Sequence, residues 1–133
     1  MLHSEKILIV EDEAIVVTSL SMVLKSSGYF VTAVRTGKDA LEKVQTTHYN
    51  LVLLDIGLPD MTGTEVLKMI RETNQDIIGI MITGHPHLDS SIDSGNHGAD
   101  GYIVKPIINK DLVDLVEEKL EQRFNRWVNN IFI

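Results

Sequence analysis

Five residues able to do polar chemistry stand at the ends of short apolar runs. Glu11 and Asp12 follow KILIV, Asp55 follows LVLL, Thr83 follows IIGIMI, and Lys105 follows GYIV and precedes Pro106. Brought together, Glu11, Asp12 and Asp55 set three negative charges at short range, where they cannot all stay ionised without a counter-charge. Mg²⁺ meets that need, because it takes oxygen ligands, keeps several waters and binds through one or two carboxylates plus a phosphate oxygen. Lys105 would offset charge from the other side. A carboxylate so placed is a nucleophile towards phosphorus and forms an aspartyl phosphate. Such a transfer depends on positioning and charge neutralisation. The metal would bridge one phosphoryl oxygen, Lys105 would pair with a second, and the Thr83 hydroxyl would bond the third. Ending an apolar run on Asp55 costs free energy unless something pairs with the acid, so its position reads as a site.

The elements that must deliver these groups follow from hydrophobic period. Lys6 to Val10, Phe30 to Val34, Leu51 to Leu54, Ile77 to Ile82 and Gly101 to Val104 read as short strands, with Gly79 a weak spot in the fourth. Ala14 to Lys25, Lys38 to Gln45 and Thr64 to Thr73 carry apolar residues at helical spacing, and Gly28 stops the first. Alternation places a fourth helix over Leu88 to His97, and a last helix begins near Lys110. Strands alternating with helices predict parallel βαβ units with helices on both sheet faces. In open α/β sheets the ligand site lies at the carboxyl ends of the strands, which is where all five groups emerge.

Composition narrows the function classes. The 133 residues suit one domain, taken as 1–133 with a core over about 5–120 and a helical extension over 121–133. Cysteine is absent, which excludes disulfides and thiolate metal sites. The net charge of −7, from 19 acids against 12 Lys and Arg, argues against direct nucleic-acid binding and against an anionic membrane surface. The start MLHSEKILIVEDE is not a secretory signal and no run approaches membrane-span length, so a cytoplasmic setting is expected. Glu13 reads as a helix-start acid. His3, His48 and His97 lack metal-ligand spacing, and the His85 and His87 pair would need further ligands to hold zinc.

The acidic pair in VEDE, the Asp in LLDIGLPDMTG, the Thr in MITGH and the Lys-Pro in GADGYIVKP together resemble a receiver domain of two-component response regulators, over Lys6 to about Leu120. The resemblance implies a flavodoxin-like three-layer α/β sandwich: a five-stranded parallel sheet of order 2-1-3-4-5 with five helices, the last extended. It implies a phosphorelay module in which Asp55 accepts phosphate from a histidine of a sensor kinase or a phosphotransfer protein. Glu11, Asp12, Asp55 and the Gly57 carbonyl would hold Mg²⁺, and Lys105-Pro106 would be cis. Thr83 would move to the phosphoryl group, and Tyr102 would turn inward behind it, although Tyr102 reads equally as a half-buried packing residue. The face built by the fourth helix, fifth strand and last helix would then present itself to an output partner. In this reading the chain assists only its own phosphorylation and dephosphorylation.

Two rivals share parts of the pattern. A small Mg-dependent phosphatase of the haloacid-dehalogenase type needs an acid two residues after its nucleophile, where Gly57 stands, and room for a cap. A flavin carrier needs a phosphate loop after the first strand, where Glu11, Asp12 and Glu13 repel phosphate. Three departures from the receiver pattern stand out. Gly57 and His85 replace groups that in the family often guide the hydrolytic water, which implies a long-lived phosphoryl group. The fourth helix has few large apolar residues, with Gly95 and Asn96 poor helix formers, so a short or partly unwound helix is expected. The apolar stripe of Leu112, Leu115, Val116, Leu120, Phe124, Trp127, Val128 and Ile131 runs on beyond the expected end of the last helix. That stripe would pack on another protomer, lead into a second domain or fold back on its own core. A homodimer would use either this extension or the fourth helix, fifth strand and last helix.

Overall fold

The apolar runs become strands of one parallel sheet because helices cover both of its faces. The computed structural model describes residues 4–84 and 98–131. Among these the element order is β1 (Lys6–Val10), α1 (Ala14–Ser26), β2 (Phe30–Val34), α2 (Gly37–Thr46), β3 (Leu51–Asp55), α3 (Gly63–Thr73), β4 (Ile78–Thr83), β5 (Gly101–Val104) and α4 (Asn109–Ile131). The sheet order is β2-β1-β3-β4-β5 and every pairing is parallel, as the flavodoxin-like expectation requires. The helix expected over Leu88 to His97 lies outside the described residues, as do His3, His85 and His87. Four of the five expected helices are therefore in view, and α4 is the last helix of the chain. No helix among the described residues is long and apolar enough to cross a membrane.

Strand alternation sorts the core into two layers. Ile7, Ile9, Leu51 and Leu53 face α1 and α4, where they meet Leu20, Leu24, Leu112 and Val116. Leu8, Val10, Val52 and Leu54 face α2 and α3, where they meet Ala40, Val44, Val66 and Ile70. Each such side chain, once fully buried, contributes about 1.5–3 kcal/mol. Gly79 is not a weak spot in this setting. A Cβ there would stand 2.7 Å from both Leu67 methyls, so α3 presses Leu67 onto bare backbone of β4.

Local chemistry fixes the loops that carry the site. Thr62 caps α3 by accepting from the Glu65 amide at 3.2 Å, and Thr36 caps α2 from the Asp39 amide at 3.1 Å. Asp60, in the loop after β3, accepts from the Gly37 and Lys38 amides at 2.9 and 3.0 Å, tying that loop to the start of α2. Those two backbone bonds hold its carboxyl below the usual aspartate range. Gly63 allows α3 to start against β3, since a Cβ would fall 2.7 Å from the Asp55 carbonyl oxygen.

Candidate functional site

The sheet ladder runs one residue past its strands and so aims the tips. The Glu11 amide donates to the Val34 carbonyl at 3.1 Å, Ile56 to Ile82 at 3.0 Å, and Lys105 to Thr83 at 2.8 Å. With that scaffold set, Glu11, Asp12 and Asp55 each bring a carboxylate oxygen within 4.8 Å of the others. Glu11 is fully buried and Asp55 is 8 % exposed, whereas Asp12 faces solvent. Lys105 reaches in from the end of β5. Its ammonium lies 2.7 Å from Glu13 Oε1, 2.9 Å from Glu11 Oε1 and 3.3 Å from Asp55 Oδ2. The contacts to Glu13 and Asp55 are aligned hydrogen bonds. The approach to Glu11 Oε1 is an ion pair off the hydrogen-bond line, and that buried oxygen has no hydrogen-bond donor among the described residues.

Burial pushes the Glu11 carboxyl up to about 7. Lys105 and the Glu13 amide pull it down, and nearby Asp55 adds to the rise. Burial also works against the Lys105 charge, but the contacts to Glu13 and Glu11 and the field of Asp55 outweigh it, so its pKa stands above the usual lysine value. The pocket is thus short of positive charge even with Lys105 in place. An all-oxygen donor set of three carboxylates, one with a buried oxygen lacking a donor, is what a hard divalent cation takes. The acidic cluster can hold a metal ion.

The remaining expected residues fall around this centre. Asp55 pairs with Ile82 across the ladder, so Thr83 is the next residue along β4. Thr83 is 2 % exposed. Tyr102 is half-buried on the α3 side of the sheet, opposite Met81 in register, and Thr83 lies two residues on from Met81 and so on the same side. The Gly57 amide donates to Asp55 Oδ1 at 2.9 Å. A Cβ at Gly57 would make only an ordinary 3.8 Å contact with that oxygen, so the position beside the acid is open. The Lys105-Pro106 bond is cis, as the resemblance implies.

Two residues went unrecognised in the sequence. In the sequence Glu13 reads as an acid at the start of α1, and it does occupy the position before that helix, but its side chain makes no cap hydrogen bond. The carboxylate goes to Lys105 instead, 92 positions away in sequence, and no local signal reports such a contact. Asp60 carried a signal, an acid followed by Met-Thr-Gly in a turn, but its acceptor role at α2 is a tertiary contact. A cleft of about 410 Å³, lined by Glu5, His48, Asn50, Phe124 and Trp127 among others, lies at the opposite, amino end of the sheet and holds none of the site groups.

Residues 7–117 match the model of the response regulator receiver domain family. The transcriptional regulatory protein BasR of Escherichia coli (strain K12) is 31% identical over 96% of this chain and 58% of its own length. The chain therefore spans little more than half of that relative. A CheY-like receiver domain protein from Methanospirillum hungatei JF-1 superposes with a TM-score of 0.86 at 37% identity, covering 93% of this chain and 99% of that one. Chemotaxis response regulator CheY4 of Vibrio cholerae superposes with a TM-score of 0.80 at 26% identity, covering 87% of this chain and 98% of that one.

Proposed function

The chain belongs to the response regulator receiver family, a phosphoacceptor signalling module of two-component systems, and on that premise we propose that Asp55 is the phosphoacceptor. The observation that carries this reading is the convergence of Glu11, Asp12, Asp55 and Lys105 at one strand edge. Glu11, Asp12, Asp55 and the Gly57 carbonyl are the proposed Mg²⁺ ligands. When bound, the ion supplies charge neutralisation for the carboxylates and the incoming phosphoryl oxygens.

The chain's own residues do the rest. The Gly57 amide orients Asp55 Oδ1, and Lys105 holds Oδ2. One carboxylate oxygen of Asp55 forms a bond to phosphorus through a remaining lone pair as the phosphorus–nitrogen bond of a phosphohistidine breaks. The electron pair returns to the imidazole of the donor. Lys105 then pairs with a phosphoryl oxygen, and the Thr83 hydroxyl bonds another. Movement of Thr83 frees space on the side of the sheet where Tyr102 lies, which couples the modification to the surface around β5. The proposed donor is a histidine kinase or a phosphotransfer protein, in the cytoplasm. The proposed receiver of the signal is an output domain or protein that reads the surface around β5. The reading keeps 1–133 as one receiver unit and assigns it no turnover beyond its own phosphorylation and dephosphorylation.

At the far half of α4 we read a contact with a second copy of this chain. Phe124, Trp127 and Ile131 are exposed and follow Leu120, itself packed on the core, at intervals of four, three and four residues, the spacing a two-helix seam uses.

The test is incubation with acetyl phosphate and Mg²⁺, followed by intact mass measurement. Wild type is expected to gain one phosphoryl group and Asp55→Ala none. Equal labelling of both would reject Asp55 as acceptor, and steady release of phosphate from a phosphate ester would favour the phosphatase reading instead.

A further inference from the structure

Glu13 holds the shortest of the three carboxylate contacts to Lys105, at 2.7 Å. A lysine ammonium has three N–H donors and no more. In the resting protein its near neighbours are Glu13, Glu11 and Asp55. Two of its N–H donors are committed, to Glu13 and Asp55, while the ion pair with Glu11 lies off the hydrogen-bond line, so a phosphoryl oxygen arriving on Asp55 meets an ammonium drawn towards Glu13 by its shortest contact.

Which carboxylate gives way is decided by burial. Glu11 is fully enclosed and has no water to turn to. Asp55 is the group being modified. The Glu13 side chain is 61% exposed and can turn to water at little cost. We propose that Glu13 is a latch on Lys105: it holds the ammonium in the unphosphorylated protein, occupies the place a phosphoryl oxygen must take, and is released to solvent as Asp55 is phosphorylated. Glu13 is thus a positioning residue acting through Lys105. The inference rests on the reading of Asp55 as phosphoacceptor.

The chemical balance is simple with acetyl phosphate as donor. Asp55 oxygen bonds to phosphorus, the phosphorus–oxygen bond to acetate breaks, and acetate leaves with the electron pair. The Glu13–Lys105 hydrogen bond is exchanged for one between Lys105 and the phosphoryl group. No proton transfer or redox partner is needed.

The latch acts in one direction only. It opposes phosphorylation, but once the phosphoryl group holds Lys105, Glu13 has already let go. Removing the latch should therefore speed phosphorylation and leave the lifetime of phospho-Asp55 unchanged. A second explanation for faster labelling is that Glu13 merely repels the donor anion. Glu13→Asp separates the two. It keeps the charge, but the side chain is one methylene shorter, and aspartate before a helix favours the free amides of the first turn.

The experiment measures the rate of acetyl phosphate labelling at saturating Mg²⁺, and the decay of the product after donor removal, for wild type, Glu13→Gln and Glu13→Asp. Both variants are expected to label roughly three- to fivefold faster than wild type, the scale of an exposed ion pair with charged hydrogen bonding, with unchanged decay. Labelling of Glu13→Asp at the wild-type rate while Glu13→Gln gains would overturn the latch in favour of simple repulsion. No gain in either variant, or slower labelling, would overturn it outright. If wild type takes up no phosphoryl group at Asp55, the acceptor reading fails and the latch fails with it.

Discussion

The carboxyl tips of the sheet and the far half of α4 break the inside–outside rule in opposite directions. At the tips, Glu11 and Asp55 are charged side chains at 0% and 8% exposure. Along α4, Phe124, Trp127 and Ile131 are large apolar side chains at 60%, 58% and 51% exposure. The first exception is partly closed within the chain, because Lys105 touches the buried acids. The second meets nothing among the described residues that covers it. Phe124 and Trp127 tilt against each other at 6.1 Å, line the open cleft at the amino end of the sheet and stay mostly exposed. The difference teaches that buried acids, which could hold a metal ion, are partly met from within the chain, while the apolar stripe stays open.

The sharpest way to frame that contrast is to cut α4 where it does obey the rule. Leu112 is fully buried against β-strand side chains and α1. Leu112→Ala is expected to cost about 2–5 kcal/mol of unfolding free energy, the usual loss for a core leucine. Urea denaturation would measure it, and a loss below about 1 kcal/mol would mean that α4 is not anchored through its first turns.

Lys105→Ala comes next in size. It strips the only ammonium within reach of Glu11, Glu13 and Asp55 among the described residues. Complete loss of a partner from a buried pair costs about 3–5 kcal/mol. Lys105 is 20% exposed and Glu11 can take up a proton, so about 1–3 kcal/mol is expected in metal-free protein. Added Mg²⁺ should recover part of the loss by mass action on the folded state. A variant as stable as wild type without metal would show that the acids do not need the lysine.

A smaller and more specific effect is tied to pH. Glu11 titrates at 4.5 when unfolded and at about 7 in the folded chain. Between those values the native state holds more protons than the unfolded state, so stability falls as pH rises. This contribution is whole below about 4.5 and gone above about 7. Melting of metal-free wild type is therefore expected to lose temperature from about pH 5 to pH 7.5 relative to Glu11→Gln, which lacks this proton. The Mg²⁺-induced gain in wild type should grow over the same range, because the ion binds the ionised carboxylate. Parallel pH profiles for the two proteins would remove Glu11 from the account.

These expectations show how far the sequence alone could be read. The limits of β1, β2 and β5 coincide with their apolar runs: β1 is buried on both faces, and the edge strands β2 and β5, though only partly covered, keep a run of β-formers between turn residues. β3 and β4 run one residue further than their apolar character, since Asp55 and Thr83 still pair with Ile82 and Val104. Polarity hid them from the strand pattern while marking them as candidate site groups. The acidic cluster that could hold a metal ion was legible because Glu11 and Asp12 are the first two residues after β1 and Asp55 ends β3. Glu13 was not, because the neighbour that decides its role arrives from β5. The length of α4 was legible from its stripe, but periodicity cannot tell a buried face from an exposed one, and the exposure of Phe124, Trp127 and Ile131 weighs against the fold-back reading of the tail.

The smallest stability effect is expected in that tail, and it separates the regions most cleanly. Replacing Phe124 or Trp127 by Ala should change the unfolding free energy of the monomer by less than about 1 kcal/mol, because neither side chain is buried in the chain itself. If a second copy closes the seam, the same substitutions should lower self-association while leaving monomer stability alone. Trp127 is the sole tryptophan, so its emission reports the seam directly. Dilute protein should emit as an exposed indole, and rising concentration should shift the emission to the blue in step with a growing sedimentation coefficient. Phe124→Ala should displace that transition to higher concentration. An emission maximum that is blue at every dilution, together with a stability loss on the scale of Leu112→Ala, would mean that the tail packs within one chain, and the contrast with the charged tips would disappear.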